Sequence, residues 1–260
     1  MFFAAVISVP ALAQESFLGP PVDSIPDGLL GDAIRSGQRI LTQTQKYAGQ
    51  YSGNALNCTS CHLDGGRTPF AAPWVGIWGV FPEYRDRNAR VNSLEDRIND
   101  CFERSQNGRR LPLDSNEMRS ILAYMRWLSQ DVPTGRDGPG RGFRRITSSQ
   151  TPDPQRGSAV YDEKCAACHG RDGQGLANPQ GDMLFPPLWG PHSFSIGAGM
   201  ARLNTAAAFI KANMPFGQGG TLTDQEAFDI AAYFTQQSRP DFKAKHQDWP
   251  RGGRPSDARY

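Results

Sequence analysis

Cys58-Thr59-Ser60-Cys61-His62 and Cys165-Ala166-Ala167-Cys168-His169 use four of the chain's five cysteines and two of its four histidines. C-x-x-C-H is the attachment signature of a c-type haem. The spacing is chemical. Two thiols add to the two vinyl groups on one edge of the porphyrin, and the adjacent His then lies under the iron as its proximal ligand. A tetrahedral zinc site would need two further ligands for each cysteine pair, and only His192 and His246 remain outside the motifs. The expectation is two covalently bound haem c groups, held by Cys58, Cys61, Cys165 and Cys168, with His62 and His169 on the irons.

The surroundings of the motif repeat as well. Leu113-Asp114-Ser115-Asn116-Glu117 opens an apolar stripe of Met118, Ile121, Leu122 and Met125; 109 residues later Leu222-Thr223-Asp224-Gln225-Glu226 opens Ala227, Ile230, Ala231 and Phe234. Both stripes have helical period, and capping boxes are expected from Asp114 to Glu117 and from Thr223 to Glu226. The two haem motifs are offset by 107, close to the same value. Helices are also expected before each motif, at 32–42 and 155–161. The pattern predicts a mainly α fold, two tandem class I-like cytochrome c domains at 14–132 and 155–238. A linker rich in Gly, Pro, Arg and Ser fills 133–154, and a basic tail follows at 239–260, expected to lie over the surface.

Ahead of the first domain, Met1 to Ala13 is short and apolar and ends in Ala11-Leu12-Ala13, the small-x-small form of a signal-peptidase site. Export to the periplasm is the expectation. In the 260-residue chain, Lys and Arg number 28 against 26 for Asp and Glu, a net charge of +2, so no strong field argues for a nucleic-acid partner. Beyond the N-terminal stretch no apolar run is long enough for a membrane span. Hydrophobic residues are only 38%, with 28 Gly and 20 Pro, which suits a loop-rich chain whose core is completed by something other than side chains.

A proximal His leaves one axial position open on each iron, and what fills it separates an electron carrier from an enzyme. In the second domain Met214, 45 residues after His169, ends a helix expected over 204–213 and is the expected sixth ligand. Met183 and Met200 fall in sequence that wraps the haem edge, and His192 reads as a surface or propionate-contacting residue. The first domain has no Met at the equivalent place, since Met118 and Met125 sit on an apolar stripe where core packing is their natural role. It has Cys101, 39 residues after His62. An odd cysteine in an exported chain is an inert buried thiol, half of an intermolecular disulfide, or a ligand. Its position before the terminal helix favours the distal face of the first haem. Arg97, Cys101 and Ser105 are spaced i, i+4, i+8 and share one helical stripe. A guanidinium one turn from the sulfur favours thiolate and leaves donors for an anion, with Ser105 adding a hydroxyl. Arg97 has other readings, a haem propionate or the neighbouring Asp96 and Asp100. Tyr84 to Arg90 supplies further positive charge, or is a solvated loop.

In Cys58-Thr-Ser-Cys-His62-Leu-Asp-Gly-Gly-Arg67, Phe81-Pro-Glu-Tyr-Arg85, Glu95-Asp-Arg-Ile-Asn-Asp-Cys-Phe-Glu-Arg-Ser105, Phe185-Pro-Pro-Leu-Trp-Gly190, Gly197-Ala-Gly-Met200 and Asn213-Met-Pro-Phe-Gly217, the chain resembles the thiosulfate dehydrogenase family of periplasmic dihaem cytochromes. The resemblance implies that two thiosulfates are joined into tetrathionate, reversibly, at a haem carrying His62 and Cys101. It further implies that Arg87, Arg97 and Ser105 line the oxyanion site. Electrons would leave through the His169/Met214 haem to an external acceptor, such as a small cytochrome c or a high-potential iron-sulfur protein. Some members place Lys immediately before the Met and switch ligand on reduction. Asn213 stands there in this chain, with Lys211 two residues earlier, so a constant His169/Met214 pair is the expectation. Two competing functions are a dihaem electron-transfer subunit without its own catalysis, and a Cys-ligated subunit of a sulfur-oxidation complex.

Overall fold

The computed structural model describes residues 19–138 and 140–260. The stretch read as an export signal, 1–13, lies outside the described residues.

The first repeat begins with α1 (Leu29–Thr42), followed by the short α2 (Thr44–Ala48), a 3-10 turn at Cys58–Ser60 and α3 (Leu63–Gly66). A two-stranded hairpin, β1 (Glu83–Arg85) and β2 (Arg90–Asn92), leads into α4 (Leu94–Arg104) and then α5 (Asn116–Leu128). The second repeat starts with α6 (Pro154–Lys164) and α7 (Ala166–His169), passes through β3 (Leu176–Ala177) and β4 (Met183–Phe185), and closes with α8 (Leu203–Asn213) and α9 (Asp224–Thr235). This is the expected mainly helical arrangement of two cytochrome c domains.

In each repeat the first helix crosses the last, α1 on α5 and α6 on α9. Glycine sets both crossings. A Cβ on Gly37 would lie 2.0 Å from the Ser120 carbonyl oxygen, and one on Gly157 would lie 1.9 Å from that of Asp229. Neither approach tolerates any other residue without the helices moving apart. A tyrosine then ties each helix pair to its haem-motif loop. Tyr124 donates to Gly65 O at 2.9 Å, and Tyr161 to Gly170 O at 2.7 Å.

Two apolar cores result. Ile34, Leu41, Phe102, Met118, Ile121 and Leu128 belong to the first; Tyr161, Phe194, Ile210, Leu222, Ala227 and Phe234 belong to the second. Leu56, two residues before the first haem motif, packs into the second core rather than the first. The repeats are therefore interlocked.

Helix starts follow their caps. Thr223 and Glu226 form the expected box on α9, and Ser93 with Asp96 forms another on α4. On α5 the expectation fails by one residue. Ser115, not Asp114, is the cap and accepts from Met118 N at 3.1 Å, because a turn from Pro112 O to Ser115 N delays the helix. The tail is also corrected. It is not simply laid over the surface, since Phe242 and Trp249 are buried and the Asp248 side chain is only 2% exposed. The reason is local chemistry: Asp248 meets two arginines of the first repeat.

Candidate haem sites and the Cys101 pocket

Each C-x-x-C-H motif opens onto a largely apolar cavity, of about 280 Å³ in the first repeat and about 350 Å³ in the second. The first contains Cys58, Cys61 and His62; the second contains Cys165, Cys168 and His169. In both, the imidazole Nδ1 bonds a backbone carbonyl: His62 to Ala72 O at 2.6 Å and His169 to Pro186 O at 2.9 Å. A carbonyl accepts only, so Nδ1 carries the proton and Nε2 keeps its lone pair for a metal. His62 is further fixed by stacking on Trp74, with ring centroids 4.7 Å apart. Burial pushes its pKa down to about 4, outweighing the carbonyl contact, so the ring is neutral at ordinary pH. Burial also lowers the pKa of His169. Cys58 and Cys61 are pushed up to about 12 and Cys165 to about 11, again chiefly by burial. Paired thiols, a neutral imidazole with a directed lone pair and an apolar void form a donor set that fits haem c in each repeat.

The far walls differ. Met214, the C-cap of α8, lines the second cavity with Met183 and Met200. Lys211 points elsewhere, its Nζ donating to Gly220 O at 3.2 Å and to Leu222 O. Asn213 donates to Phe209 O at 3.0 Å. His192 is exposed and lines neither cavity.

In the first cavity, α4 brings Arg97, Cys101 and Ser105 to one wall, as the spacing predicts. Arg97 Nη1 donates to Cys101 Sγ at 2.8 Å. The sulfur's charge is the largest influence on Arg97, raising its pKa against the opposing effect of burial. Asp96 does not take this guanidinium, being held by Arg90 and Arg110, each at 3.0 Å, whereas the charge of Asp100 helps to raise the Arg97 pKa without an ion-pair contact. Ser105 caps the helix, its N–H donating to Cys101 O at 2.8 Å. Met118 is fully buried in the core; Met125 is buried too and also lines the cavity.

Arg87 is not brought to this wall. Its Nη1 donates to Gly197 O at 2.8 Å, its Nε lies 3.5 Å from Asp248, and its guanidinium covers the Trp249 ring. The cations that line the cavity beside Arg97 are Arg85 and Arg141, joined through Glu83 at 2.8 and 3.1 Å. Arg141 comes from the linker, whose Gly140 and Gly142 carbonyls accept from Phe70 and Ala72. The sequence marks Arg85 only as part of the basic run 84–90, and Arg141 not at all. Arg85 sits in the same basic run as Arg87, but nothing in the linker's composition marks Arg141 as facing inward.

The two cavities share a wall. Leu56, Asn57 and Cys61 from the first repeat and Phe194 and Met200 from the second line both.

Comparison with known proteins agrees with this architecture. A family model described as SoxA/TsdA, cytochrome c domain, matches residues 45–134, and one described as Cytochrome C oxidase, cbb3-type, subunit III, matches 152–234. A thiosulfate dehydrogenase of Psychrobacter arcticus is 48% identical over 92% of this chain and 73% of its own length. One from Allochromatium vinosum is 47% identical over 86% of this chain and 84% of its own. Among solved structures, thiosulfate dehydrogenase (TsdBA) from Marichromatium purpuratum superimposes with a TM-score of 0.85 at 39% identity, covering 89% of this chain. This chain spans about half, 51%, of that protein.

Proposed function

Since this chain belongs to the thiosulfate dehydrogenase family, we propose that it is a periplasmic dihaem cytochrome c that oxidises two thiosulfates to tetrathionate at Cys101. The observation that carries the reading is the 2.8 Å contact of Arg97 with Cys101 Sγ, inside the cavity that also holds Cys58, Cys61 and His62. His62 with Cys101 and His169 with Met214 would hold two covalent haem c groups, which would supply one-electron acceptors for the two electrons released and an exit to an external carrier.

Arg97 lines the cavity beside the reacting sulfur, where a dianion approaching Cys101 would meet its guanidinium. Its remaining N–H groups hold the sulfonate end, with Ser105 adding a hydroxyl on the same wall. Arg85 and Arg141 supply positive charge at the cavity edge, and Arg87, a family position for this site, is anchored just outside it. The outer sulfur of thiosulfate joins Cys101 Sγ as an S–S bond with loss of two electrons, giving a cysteine S-thiosulfonate. A second thiosulfate attacks the sulfur next to Sγ; the Cys101–S bond breaks, tetrathionate departs and Cys101 leaves as thiolate. No proton is required in either step. The reverse sequence reduces tetrathionate.

The Lys211 contacts leave His169/Met214 without a competing amine ligand, which supports a constant ligand pair on the second haem. The shared wall supports a short route between the two cavities. The purified holoprotein, given thiosulfate and an artificial electron acceptor but no partner protein, is expected to form one tetrathionate per two thiosulfates consumed. An electron-transfer subunit, or a subunit that needs a sulfur-carrier protein, would form none.

A further inference from the structure

The helix that carries Arg97 and Cys101 into the first cavity ends at Arg104, whose side chain meets the C-terminal segment. Arg104 and Asp248 form a two-point contact, Nη2 to Oδ1 at 2.8 Å and Nη1 to Oδ2 at 3.2 Å. The Arg104 guanidinium also covers the Phe242 ring at 4.2 Å. Its main-chain carbonyl accepts from both Ser195 N and Ser195 Oγ, so the last turn of α4 is held in backbone and side chain alike.

The same carboxylate reaches a second element. Asp248 Oδ2 lies 3.5 Å from Arg87 Nε and accepts from the Tyr260 hydroxyl. The next residue, Trp249, donates its N–H to Arg87 O at 2.8 Å and places its ring 4.6 Å from the Arg87 guanidinium. One aspartate therefore fixes the end of α4 and the hairpin loop carrying Arg87, although it lies 144 residues beyond Arg104 in sequence.

The chemistry of this contact suits alignment better than adhesion. A buried ion pair gives little net stability over well-packed apolar side chains, because desolvation consumes most of its attraction. A two-point guanidinium–carboxylate contact, by contrast, fixes both distance and rotation. Rotation is what matters for a helix that presents a sulfur three residues before its end. Apolar packing by Phe242 and Trp249 alone would hold the segment down without setting that angle.

We propose that Asp248 is a positioning residue for the chemistry at Cys101, and that the C-terminal segment sets through it the orientation of α4 and the placement of Arg87. The inference rests on Cys101 being the ligand and reacting sulfur. Because a displacement of about 1 Å at a reacting centre costs on the order of 100-fold in rate, a loosened α4 shows in turnover before the fold is lost.

The test uses haem-loaded, full-length Asp248→Asn and Asp248→Glu, with Cys101→Ala alongside. Two readouts are taken: steady-state kcat and KM for thiosulfate, and the low-spin ferric EPR signal of the thiolate-ligated haem without substrate. Asp248→Asn is expected to lower kcat by about tenfold or more and to split or broaden that signal, leaving the His/Met signal unchanged. Asp248→Glu, which keeps the charge, restores part of both. Asp248→Asn with wild-type kcat and a single unaltered thiolate signal overturns the proposal, even if thermal stability falls. Should Asp248→Asn fail to accumulate, Tyr260→Phe, which removes one hydrogen bond to Asp248, decides: the same changes at smaller size support the proposal and their absence overturns it. If Cys101→Ala retains the thiolate signal, the ligand assignment itself has failed.

Discussion

Removing Cys101 tests both its chemistry and its pairing, and the structure allows the two to be separated. Arg97 Nη1 is 2.8 Å from Cys101 Sγ, and the guanidinium on the cavity wall is desolvated, which opposes the effect of the sulfur's charge on its pKa. Exposed ion pairs contribute about 0–1 kcal/mol, and breaking a fully buried pair costs about 3–5 kcal/mol. The haem-filled cavity puts the pair toward the buried limit, and the variant also removes the proposed iron ligand, so Cys101→Ala should destabilise the holoprotein by about 3 kcal/mol or more. Part of that arises from the guanidinium left behind and part from the lost iron ligand. Arg97→Met in the same chain removes that charge while keeping apolar volume, and the double variant should regain the part due to the unpaired guanidinium. Turnover behaves differently. With its sulfur nucleophile gone, Cys101→Ala should lose several orders of magnitude in thiosulfate oxidation, and the double variant should recover none of it. Denaturant titration of the four proteins gives the coupling energy, and tetrathionate formation gives the rates. Additive stabilities would refute the pairing; near wild-type turnover in Cys101→Ala would refute the enzyme reading and leave an electron carrier.

Met214→Gly should abolish the far-red thioether-to-iron band of the oxidised protein while leaving the thiolate-ligated haem unchanged, as read by optical and EPR spectra. Gly157→Ala should lower the unfolding midpoint of the second repeat, since its Cβ would lie 1.9 Å from Asp229 O and overpacking of this kind costs about 1–3 kcal/mol. Burial pushes the pKa of Asp229 up, but hydrogen bonds from Arg156, Asp153 N and Gln225 outweigh it and hold the folded value below the ordinary one. Its contribution is therefore complete above the unfolded pKa of about 3.9 and is lost as pH falls through the lower folded value. Asp229→Asn should accordingly flatten the acid limb of the melting temperature against pH, and an unchanged limb would exclude that role.

What the sequence made legible was short-range chemistry. Each C-x-x-C-H carries its own spacing, and Thr223 with Glu226 carries its own cap, so both read directly. Arg97, Cys101 and Ser105 were legible for the same reason: helical period alone places them on one wall. The errors begin where a residue's partner decides between two equivalent candidates, and most of those partners are distant. Asp114 and Ser115 are both good caps, and a turn from Pro112 selects the second. Arg87 and Arg85 are two residues apart in one basic run. Only Asp248 and the Gly197 carbonyl, far along the chain, decide which of them is held away from the cavity. Gly37 and Gly157 look like weak points in helical patterns until the crossing helix shows that each is a contact.

The interlocking of the repeats bears on why one chain holds both. On the proposed function, coupling of two thiosulfates releases two electrons and a haem would take one at a time, so a single site would wait on its acceptor halfway through the reaction. A second site that shares a wall with the first removes that wait. The wall is built reciprocally: Leu56 leaves the first repeat to enter the second core, while Phe194 and Met200 of the second line the first cavity. Leu56 and Phe194 are each only 3% exposed. Separating the repeats would bare both side chains and open the Cys101 cavity on the side where Phe194 closes it. On the proposed function, the repeat that carries Cys101 depends on its neighbour for part of the wall around Cys101 and Arg97, as well as for the route by which electrons would depart.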